Sequence, residues 1–527
     1  MSFRSGRAPG GATIRFWTAL AFLHLGLGST ACSGAGQSVE STADSVDEPV
    51  PEPNGPGPRP EVVSTRAPRG AGAEVASRSK PTAPGTAETV AAGRSGSDSP
   101  AILYVDPVEG LDDDDGRSDS PFRTLKRALD VAEAGATIWL RDGTYRAETG
   151  ETWSRKVPDG VSIRAVTPGK AVLAGQRPST GLDFSGTGHV TGIVFEGFSH
   201  AVSAWSGEVS IEDSTVDTGG GFDFSGSARA TVTGVTMSQL TSDGLYARGT
   251  AEVTVTDTSF GGAGLTGRCD AVPAVVADES ARVHFTAVSL SDFAAGAIDA
   301  RGAAEMDLER CLVMKTGQAE CSGAQVAVSG TADVSLHDAT VRDGGGTGIA
   351  VQGAARLAMD GVFVGAHTTA GVRALGGKLD IASSDIRTGS TGVLLSFESP
   401  SDGCFIEQTL FEGNAIGIEL NGISSVKLRR STIGDGDYGV YAPSASLVFV
   451  DLGLPLDPGE NTISGKRAAL TLSGAYGYPR TFGAAGNDWN PGVQGADAEG
   501  KYPSKVVTGV LDGQNFHVAE SSVSIQL

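Results

Sequence analysis

The chain has 527 residues, of which 75 are glycine and only 6% are aromatic, and its formal net charge is −22. This composition favours many short strands joined by tight turns over helices packed through large side chains. A surface this acidic repels phosphate backbones, so no nucleic-acid partner is expected. The negative charge also favours solubility, which is the simpler explanation for it.

The N-terminus has the pattern of an export signal, residues 1–31. A basic start is followed by an apolar stretch, residues 16–28, which is too short to span a membrane as a helix. The stretch leads into Ser29-Thr-Ala-Cys32, which resembles the lipobox of bacterial lipoproteins with serine in place of the usual leucine. The resemblance implies a lipid on Cys32 after cleavage. Ordinary signal cleavage nearby, with Cys32 unmodified, is the alternative. The basic residues are Arg4, Arg7 and Arg15.

The segment that follows, residues 32–99, is predicted to be a disordered tether. From residue 33 it has no aromatic residue, leucine, isoleucine or methionine, and it contains nine prolines. Such a segment buries too little apolar surface to offset the entropy of ordering it. A coil of this length has an r.m.s. span of roughly 45 Å. A disordered leader without a mechanical role is the alternative.

Ordered structure is expected to begin with a cap at residues 100–146. A first strand is predicted at its start, and Ser120-Pro121 indicates a helix start, with serine as N-cap and proline in the first turn. Apolar residues at helical spacing follow as far as Ala132, and Gly135 ends the helix. A helix laid over the open end of a strand stack shields the unpaired edge.

From Phe222 onward a short strand recurs at intervals of 21 to 30 residues. No single rung of such a repeat can bury its apolar face, so the rungs must stack. Two more apolar strands follow each opening strand. Residues 147–495 are therefore predicted to form an all-β, single-stranded, right-handed parallel β-helix with three parallel sheets and about a dozen rungs, about 4.8 Å apart. Residues 496–527 form the closing segment. The opening residues are Phe222, Leu245, Val275, Ile298, Val326, Ile349, Val372, Val393, Ile418 and Val440.

Several runs in the cap and near the end resemble a known family. They are similar to secreted bacterial right-handed parallel β-helices, specifically to an uncharacterised domain family of the pectin-lyase-like superfamily. The resemblance implies the parallel β-helix fold and contact with carbohydrate, and it carries no established activity. The runs are Tyr104-Val-Asp106, Pro121-Phe-Arg-Thr-Leu125, Gly143-Thr-Tyr145, Asn461-Thr-Ile-Ser464 and Gly486-Asn-Asp-Trp489.

In the enzymes of that superfamily, the substrate lies along the outside of one parallel sheet. Aligning the opening strands places their second and fourth residues on that outer face. The second-position column begins Val202, Asp223, Tyr246, Val276, Asp299, and the fourth-position column begins Ala204, Ser225, Arg248, Asp278, Arg301.

Charge is concentrated in four consecutive rungs of these columns. Asp278 and Asp299 are the candidate catalytic residues, because adjacent carboxylates raise one another's pKa and supply an acid or a base. A solvated ladder of ion pairs is the simpler alternative. The candidate substrate contacts are Asp223, Tyr246, Arg248 and Arg301.

Other signals for chemistry are weaker. The catalytic signatures of the superfamily's known hydrolases, lyases and epimerases are missing, and the seven histidines show no metal-ligand spacing, so no cofactor is expected. Asp112–Asp115 with Asp119 form a candidate Ca²⁺ loop; favourable charge before a helix N-terminus is the alternative. The candidates for stacking on sugar rings or for plugging the core are Tyr438, Tyr441 and Trp489.

These features favour a monomeric, exported lipoprotein of the bacterial envelope, at the outer membrane or cell surface, with a secreted or periplasmic protein as the alternative. It would bind a glycan or another surface partner, and it would contact the membrane through its lipid only. The alternative is a polysaccharide lyase, hydrolase or epimerase that acts in the groove on the first sheet, with Asp278 and Asp299 as acid and base. The fold alone does not choose between them.

Cys269 and Cys321 are expected to form a disulfide bond. They lie in loops implied by the longest intervals, those before Val275 and Val326, and export permits oxidation. The loops must close about 9.6 Å, since the two strands lie two rungs apart. Mass spectrometry of non-reduced peptides is expected to recover the linked pair, and free thiols at both positions would contradict it. The other two, Cys311 and Cys404, fall at inward positions and are expected to be buried free thiols.

Overall fold

The computed structural model describes residues 101–262, 272–317, 323–397, 403–442, 447–454, 456–472, 481–483, 486–490 and 516–518. All of them lie in one compact unit, residues 94–527. The predicted leader, Cys32, the tether, and the cysteines at 269 and 321 with their loops lie outside the described residues. No helix within these ranges has the length and apolarity needed to cross a membrane.

The described chain is a parallel β-helix of about 13 turns, as the repeat predicts. Its strands lie in three stacks, called the first, second and third stack in the order in which a rung visits them. The first stack contains Arg155–Val157, Thr180–Phe184, His200–Ala204, Phe222–Phe224, Leu245–Ala247, Val275–Ala277, Ile298–Ala300, Ala324–Val328, Thr391–Phe397, Tyr438–Ala442 and Ala468–Leu472. The second contains Ile102–Val105, Thr137–Leu140, Val161–Ala165, Gly188–Thr191, Glu208–Glu212, Arg229–Thr233, Glu252–Thr256, Arg282–Thr286, Glu305–Glu309, Asp333–His337, Gly403–Glu407, Leu447–Asp451 and Thr481–Gly483.

The third stack is separate from the other two. It contains Gly143–Tyr145, Ala171–Ala174, Ile193–Phe198, Thr215–Gly219, Thr236–Leu240, Ser259–Gly262, Ser289–Ser291, Leu312–Met314, Thr340–Gly344, Phe363–His367, Asp385–Arg387, Leu410–Glu412, Thr432–Gly434, Thr462–Ser464 and Asp488–Asn490. Three long strands, Thr347–Asp360, Ala370–Ala382 and Ile416–Arg429, run through both the first and the second stack. Those two stacks therefore form one continuous 28-stranded sheet beside a 15-stranded sheet, where the sequence predicts three sheets. Phe516–Val518 pairs antiparallel with Ala468–Leu472 at the end.

The inward columns follow the predicted phase. Ile298, Ile349 and Ile418 lie in one column, each linked to the next through the paired residues between them, and all three are buried. The prediction is wrong by one residue at the strand His200–Ala204. There Val202 pairs with Phe222 and Ala204 with Phe224, so both point inward.

Ser203 takes the outward position beside Asp223 that the alignment gave to Val202. Burying Val202 and Ala204 in the apolar columns decides the register, because a slip of one residue exchanges the two faces of a strand.

The corner between the second and third stacks is a single residue with left-handed backbone. Its φ lies between 48° and 56° at the non-glycine positions Asp213, Asp257, Ala287, Arg310, Asp338, Ser383, Gln408 and Arg430. This conformation costs roughly 1–2 kcal/mol for a residue with a Cβ atom. Its recurrence in rung after rung shows that the stacked neighbours hold the bend in place.

A buried hydroxyl follows this corner in many rungs. Ser214 donates to the carbonyl of Glu212 at 2.8 Å and accepts the N–H of Ile193, in the preceding rung, at 3.2 Å. Ser384 does the same with Ala382 at 2.7 Å and Val362 at 3.2 Å. The hydroxyls therefore satisfy backbone groups that the bend removes from the strand ladder.

The cap helix begins later than predicted, at Leu125, and ends at Val131. Thr124 is its N-cap and accepts the N–H of Arg127 at 3.1 Å. The prediction of a start at Ser120-Pro121 is wrong because Phe122 is tied to the first strand: its N–H donates to the carbonyl of Tyr104 at 2.9 Å. Tertiary hydrogen bonds thus keep the chain extended up to the N-cap.

The two cysteines within the described ranges match their prediction. Cys311 and Cys404 are buried and form no disulfide. Burial raises the pKa of Cys311 to about 11, so this thiol stays protonated at neutral pH.

Glu151 completes the cap of the helix. Its carboxylate accepts the N–H groups of Leu125 at 2.5 Å and Lys126 at 3.2 Å, where the helix has unpaired donors. Burial raises the pKa of Glu151 to about 7, and the two backbone hydrogen bonds oppose that shift. The buried carboxyl therefore titrates near neutrality.

The pH dependence of stability is expected to report this group. A folded-state pKa raised from 4.5 to about 7 means that its stabilising contribution is present below pH 4.5 and is lost as pH rises through 7. Urea unfolding of wild type minus Glu151→Gln should therefore change by on the order of 3 kcal/mol between pH 4.5 and 8. The exposed neighbour Glu148→Gln is the matched control. A difference that does not vary with pH contradicts the assignment.

Candidate functional site

The structure brings the predicted site residues together on the outer face of the first stack. Asp223, Tyr246, Val276 and Asp299 pair in register on successive strands. The residues just after these strands stack as well, since the N–H of Asp278 donates to the carbonyl of Ala247 at 2.9 Å. Arg248 and Arg301 make the equivalent bonds, to Phe224 at 3.0 Å and Ala277 at 2.9 Å. We call this group, with the neighbours described below, the charged cluster.

Arg301 joins the two candidate catalytic carboxylates. Its Nε donates to Asp278 Oδ2 at 2.8 Å, and its Nη1 lies 3.5 Å from Asp299 Oδ2. Burial alone lowers the pKa of Arg301, but the hydrogen bond to Asp278, the charges of both aspartates and a hydrogen bond with Tyr246 raise it overall. One guanidinium thus serves two carboxylates on adjacent rungs.

Asp223, Tyr246 and Arg248 form the second half of the cluster. Arg248 Nη2 lies 3.6 Å from Asp223 Oδ2, and the guanidinium carbon lies 5.3 Å from the centre of the Tyr246 ring. Arg248 is therefore held by an ion pair and by a cation–π contact. Asp223 is 16% exposed and Arg248 is 43% exposed, so the carboxylate is more deeply buried than the guanidinium.

Four further members were not predicted from the sequence. His200 Nε2 lies 3.8 Å from Asp243 Oδ2, and Ser203 Oγ donates to Asp183 Oδ1 at 2.9 Å. Asp183 and Ser203 precede Asp223 in the same outward column. The correct register of the rung at 200–204 would have identified Asp183 and Ser203, because the inward residues of a strand also fix which of its residues point outward.

Three polar atoms in the charged cluster are buried without a hydrogen-bond partner. They are Asp223 Oδ1, Asp243 Oδ2 and Arg248 Nε. An unsatisfied buried polar group costs about 1–3 kcal/mol, and such groups in folded proteins call for a water, an ion or a ligand. Among the described residues, the charged cluster thus contains three such atoms, and the ion-paired Arg429 has another at its Nε.

The carboxylates of the cluster have perturbed acidity. Burial raises the pKa of Asp223; Arg248 and His200 oppose the shift, while Asp243 and Asp183 add to it. Burial also raises the pKa of Asp299; Arg301 opposes that shift and Asp278 adds to it. Raised carboxyl pKa values are typical of sites that donate protons.

A second polar surface lies on the outer face of the second stack, in a groove of about 650 Å³. His284 Nδ1 lies 2.9 Å from Asp307 Oδ2, Ser335 Oγ donates to Asp307 Oδ1 at 2.9 Å, and His337 Nε2 lies 3.9 Å from the same oxygen. These residues lie on successive rungs, so their sequence separations match rung intervals and not a local motif. The rung-length spacing of these residues was therefore visible in the sequence.

The other candidate residues lie away from the charged cluster. Asp112 accepts the N–H groups of Arg123 at 3.0 Å and Thr124 at 2.9 Å, so it organises the cap loop. Within the described ranges, no group of three or more His, Cys, Asp or Glu side chains could hold a metal ion. Tyr438 and Tyr441 stack on each other, with ring centres 4.5 Å apart. Trp489 lies in the last described strand of the third stack.

Comparison with known proteins finds matches to parts of the chain. The family model described as a protein of unknown function (DUF1565) matches residues 108–265, which confirms the resemblance to an uncharacterised family. The uncharacterised protein YwoF of Bacillus subtilis is 49% identical over 43 residues, which cover 8% of this chain and 9% of that protein. Pectate lyase PEL9 of Emericella nidulans is 49% identical over 45 residues, which cover 8% and 11%. The chain thus spans about a tenth of these curated relatives.

Solved structures with a similar course of the chain include carbohydrate-active enzymes. Pectate lyase Pel9A is 12% identical, with 60% of this chain and 79% of that chain covered and a TM-score of 0.34. The A-module of mannuronan C-5 epimerase AlgE6 from Azotobacter vinelandii is 14% identical, with 60% and 90% covered and a TM-score of 0.35. At these scores the fold assignment depends on the strand register itself. The chain is a parallel β-helix.

Proposed function

We propose that this protein is an exported glycan-binding β-helix whose ligand lies across the charged cluster. The single observation that supports the proposal most is that Asp223 Oδ1, Asp243 Oδ2 and Arg248 Nε, all in the charged cluster, are buried without a hydrogen-bond partner, although Asp243 Oδ2 also lies 3.8 Å from His200 Nε2. Sugar hydroxyls both donate and accept hydrogen bonds, so one ring can satisfy carboxylate oxygens and a guanidinium together.

The surroundings of these atoms suit a sugar chain. The ring of Tyr246 is half-exposed beside Arg248 and offers an amphipathic platform. The outward column continues in register from Asp183 through Tyr246 and Asp299 to Tyr441, along the axis of the helix. A linear polymer laid along this axis meets a new outward side chain about every 4.8 Å.

Turnover of the glycan is the second candidate function. Asp278 and Asp299 share Arg301, and the raised pKa of Asp299 is suited to proton donation. In a lyase, hydrolase or epimerase, these two carboxylates would be the acid and base. No catalytic signature accompanies them in the sequence, so binding without turnover is the leading proposal.

Export and lipidation complete the proposal. The leader at residues 1–31 would deliver the chain to the bacterial envelope, and a lipid on Cys32 would hold it there through the tether at 32–99. The support is the lipobox-like Ser29-Thr-Ala-Cys32 and the composition of the segment that follows.

Glycan binding is expected to depend on the charged cluster. A panel of neutral and acidic polysaccharides in affinity electrophoresis should identify a retarding polymer. Asp223→Asn and Tyr246→Ala should each weaken its binding roughly tenfold, because each removes a contact worth about 1.4 kcal/mol. Asp307→Asn, on the outer face of the second stack, is the matched control.

The same polymers are then assayed for new reducing ends and for the ultraviolet absorbance of unsaturated products. Binding with neither signal is the expected result. Turnover that is lost in Asp278→Ala or Asp299→Ala, with folding intact, establishes the enzyme instead. Failure to bind any polymer of the panel contradicts the proposed function.

Lipidation is expected at Cys32. Cells that express the full chain and are fed a radiolabelled fatty acid should incorporate label into the protein, and Triton X-114 extraction should place it in the detergent phase. Cys32→Ser should remove both signals. Cys269→Ser, which also lacks one cysteine, should keep them. Labelled protein in the Cys32→Ser variant would show that the lipid is elsewhere.

A further inference from the structure

The arginines of the charged cluster are engaged by its own carboxylates. Arg301 is shared by Asp278 and Asp299, at 2.8 Å and 3.5 Å. Arg248 faces Asp223 at 3.6 Å and lies over the ring of Tyr246. A carboxylate or sulfate on a ligand would have to break one of these pairs before it could be bound through both nitrogens of a guanidinium.

The charge balance of the cluster is negative. Five aspartates face two arginines and Lys156, which pairs in register with Asp183, and the imidazole of His200 lies beside Asp243. The charges of Asp243 and Asp183 already add to the raised pKa of Asp223, whose main cause is burial. A further anion placed among them adds repulsion at short range, where screening by salt is weak. The five are Asp183, Asp223, Asp243, Asp278 and Asp299.

Two other arginines approach this face without joining the cluster. Arg177 donates to the hydroxyls of Thr241 at 2.6 Å and Ser242 at 3.2 Å, beside Asp243. Arg373 lies in the outward column three rungs beyond Asp299, about 14 Å along the axis. Each is a place where an anionic polymer could attach outside the cluster, so each needs its own control.

We infer that the ligand of the charged cluster is a neutral glycan, recognised through its hydroxyl groups, and not a polyuronate or a sulfated polymer. This inference rests on the proposed function and names its substrate class. The partly exposed carboxylates of Asp223 and Asp243 accept hydrogen bonds from hydroxyls, and the half-exposed guanidinium of Arg248 donates to a ring or hydroxyl oxygen. None of these contacts requires a charge on the ligand.

Pairs of polymers that share a backbone and carry either charged or neutral substituents test the inference. Polygalacturonate is compared with its methyl ester, alginate with its propylene glycol ester, and carboxymethyl cellulose with hydroxyethyl cellulose. Each pair is measured by affinity electrophoresis, once with EDTA and once with Ca²⁺. We expect the neutral member of at least one pair to bind at least tenfold more tightly under both conditions.

A specificity switch sharpens the test. Asp278→Asn with Asp299→Asn releases Arg301 from its partners, so the double variant should gain about tenfold affinity for the anionic member, and salt should weaken that binding. Asp183→Asn with Asp243→Asn also removes two negative charges, without releasing an arginine. It should give a smaller gain, and an equal gain would show that net charge alone decides the preference.

The outcomes separate the two proposals. If the protein binds neither member of any pair nor any polymer of the wider panel, the proposed function fails and the inference fails with it. If glycan binding is present but the anionic member binds as tightly as the neutral one, with EDTA or with Ca²⁺, only the inference is overturned. Anionic binding counts against the inference only where it persists in both Arg177→Ala and Arg373→Ala; anionic binding that disappears in either variant lies outside the cluster, and the preference for the neutral member that remains then supports the inference.

Discussion

The whole molecule depends on one constraint: each rung must repeat the path of the rung before it, because its apolar residues are buried only by that neighbour. The corner between the second and third stacks enforces the repeat with a single left-handed residue, such as Asp257 or Arg310. Buried hydroxyls, such as those of Ser214 and Ser384, bind backbone groups across rungs at the same corner. Packing and hydrogen bonding therefore fix the same register.

Because the register is fixed, residues that are far apart in the sequence lie close together on one face of the sheet. Asp223 and Asp299 lie far apart in the sequence, yet Tyr246 and Val276 link them in one outward column. Ion pairs then form between rungs, as Arg301 forms with Asp278. A candidate site in this fold is thus formed by one outward column of side chains and the columns beside it. The hydrogen bonds and ion pairs that each side chain already makes decide which of its atoms can bind a ligand.

The places where sequence reasoning failed share a cause. Ser120-Pro121 has the local chemistry of a helix start, but Phe122 is bound to the first strand and holds the chain extended. At 200–204 a local alignment placed Val202 outward, although its pairing with Phe222 carries it into the core. In both cases a tertiary hydrogen bond or a buried column outweighed a local preference.

The sequence by itself determined the β-helix, its inward columns and the outward positions of Tyr246 and Asp299, because stacking every 21 to 30 residues leaves one consistent phase. Only the tertiary structure decided the electrostatics. Asp243 lies beside His200, and Arg301 pairs with two carboxylates. The sequence repeat does not specify these contacts, because they depend on side-chain conformation. Periodicity specifies which face a residue occupies; the partners depend on how neighbouring rungs and turns converge in space.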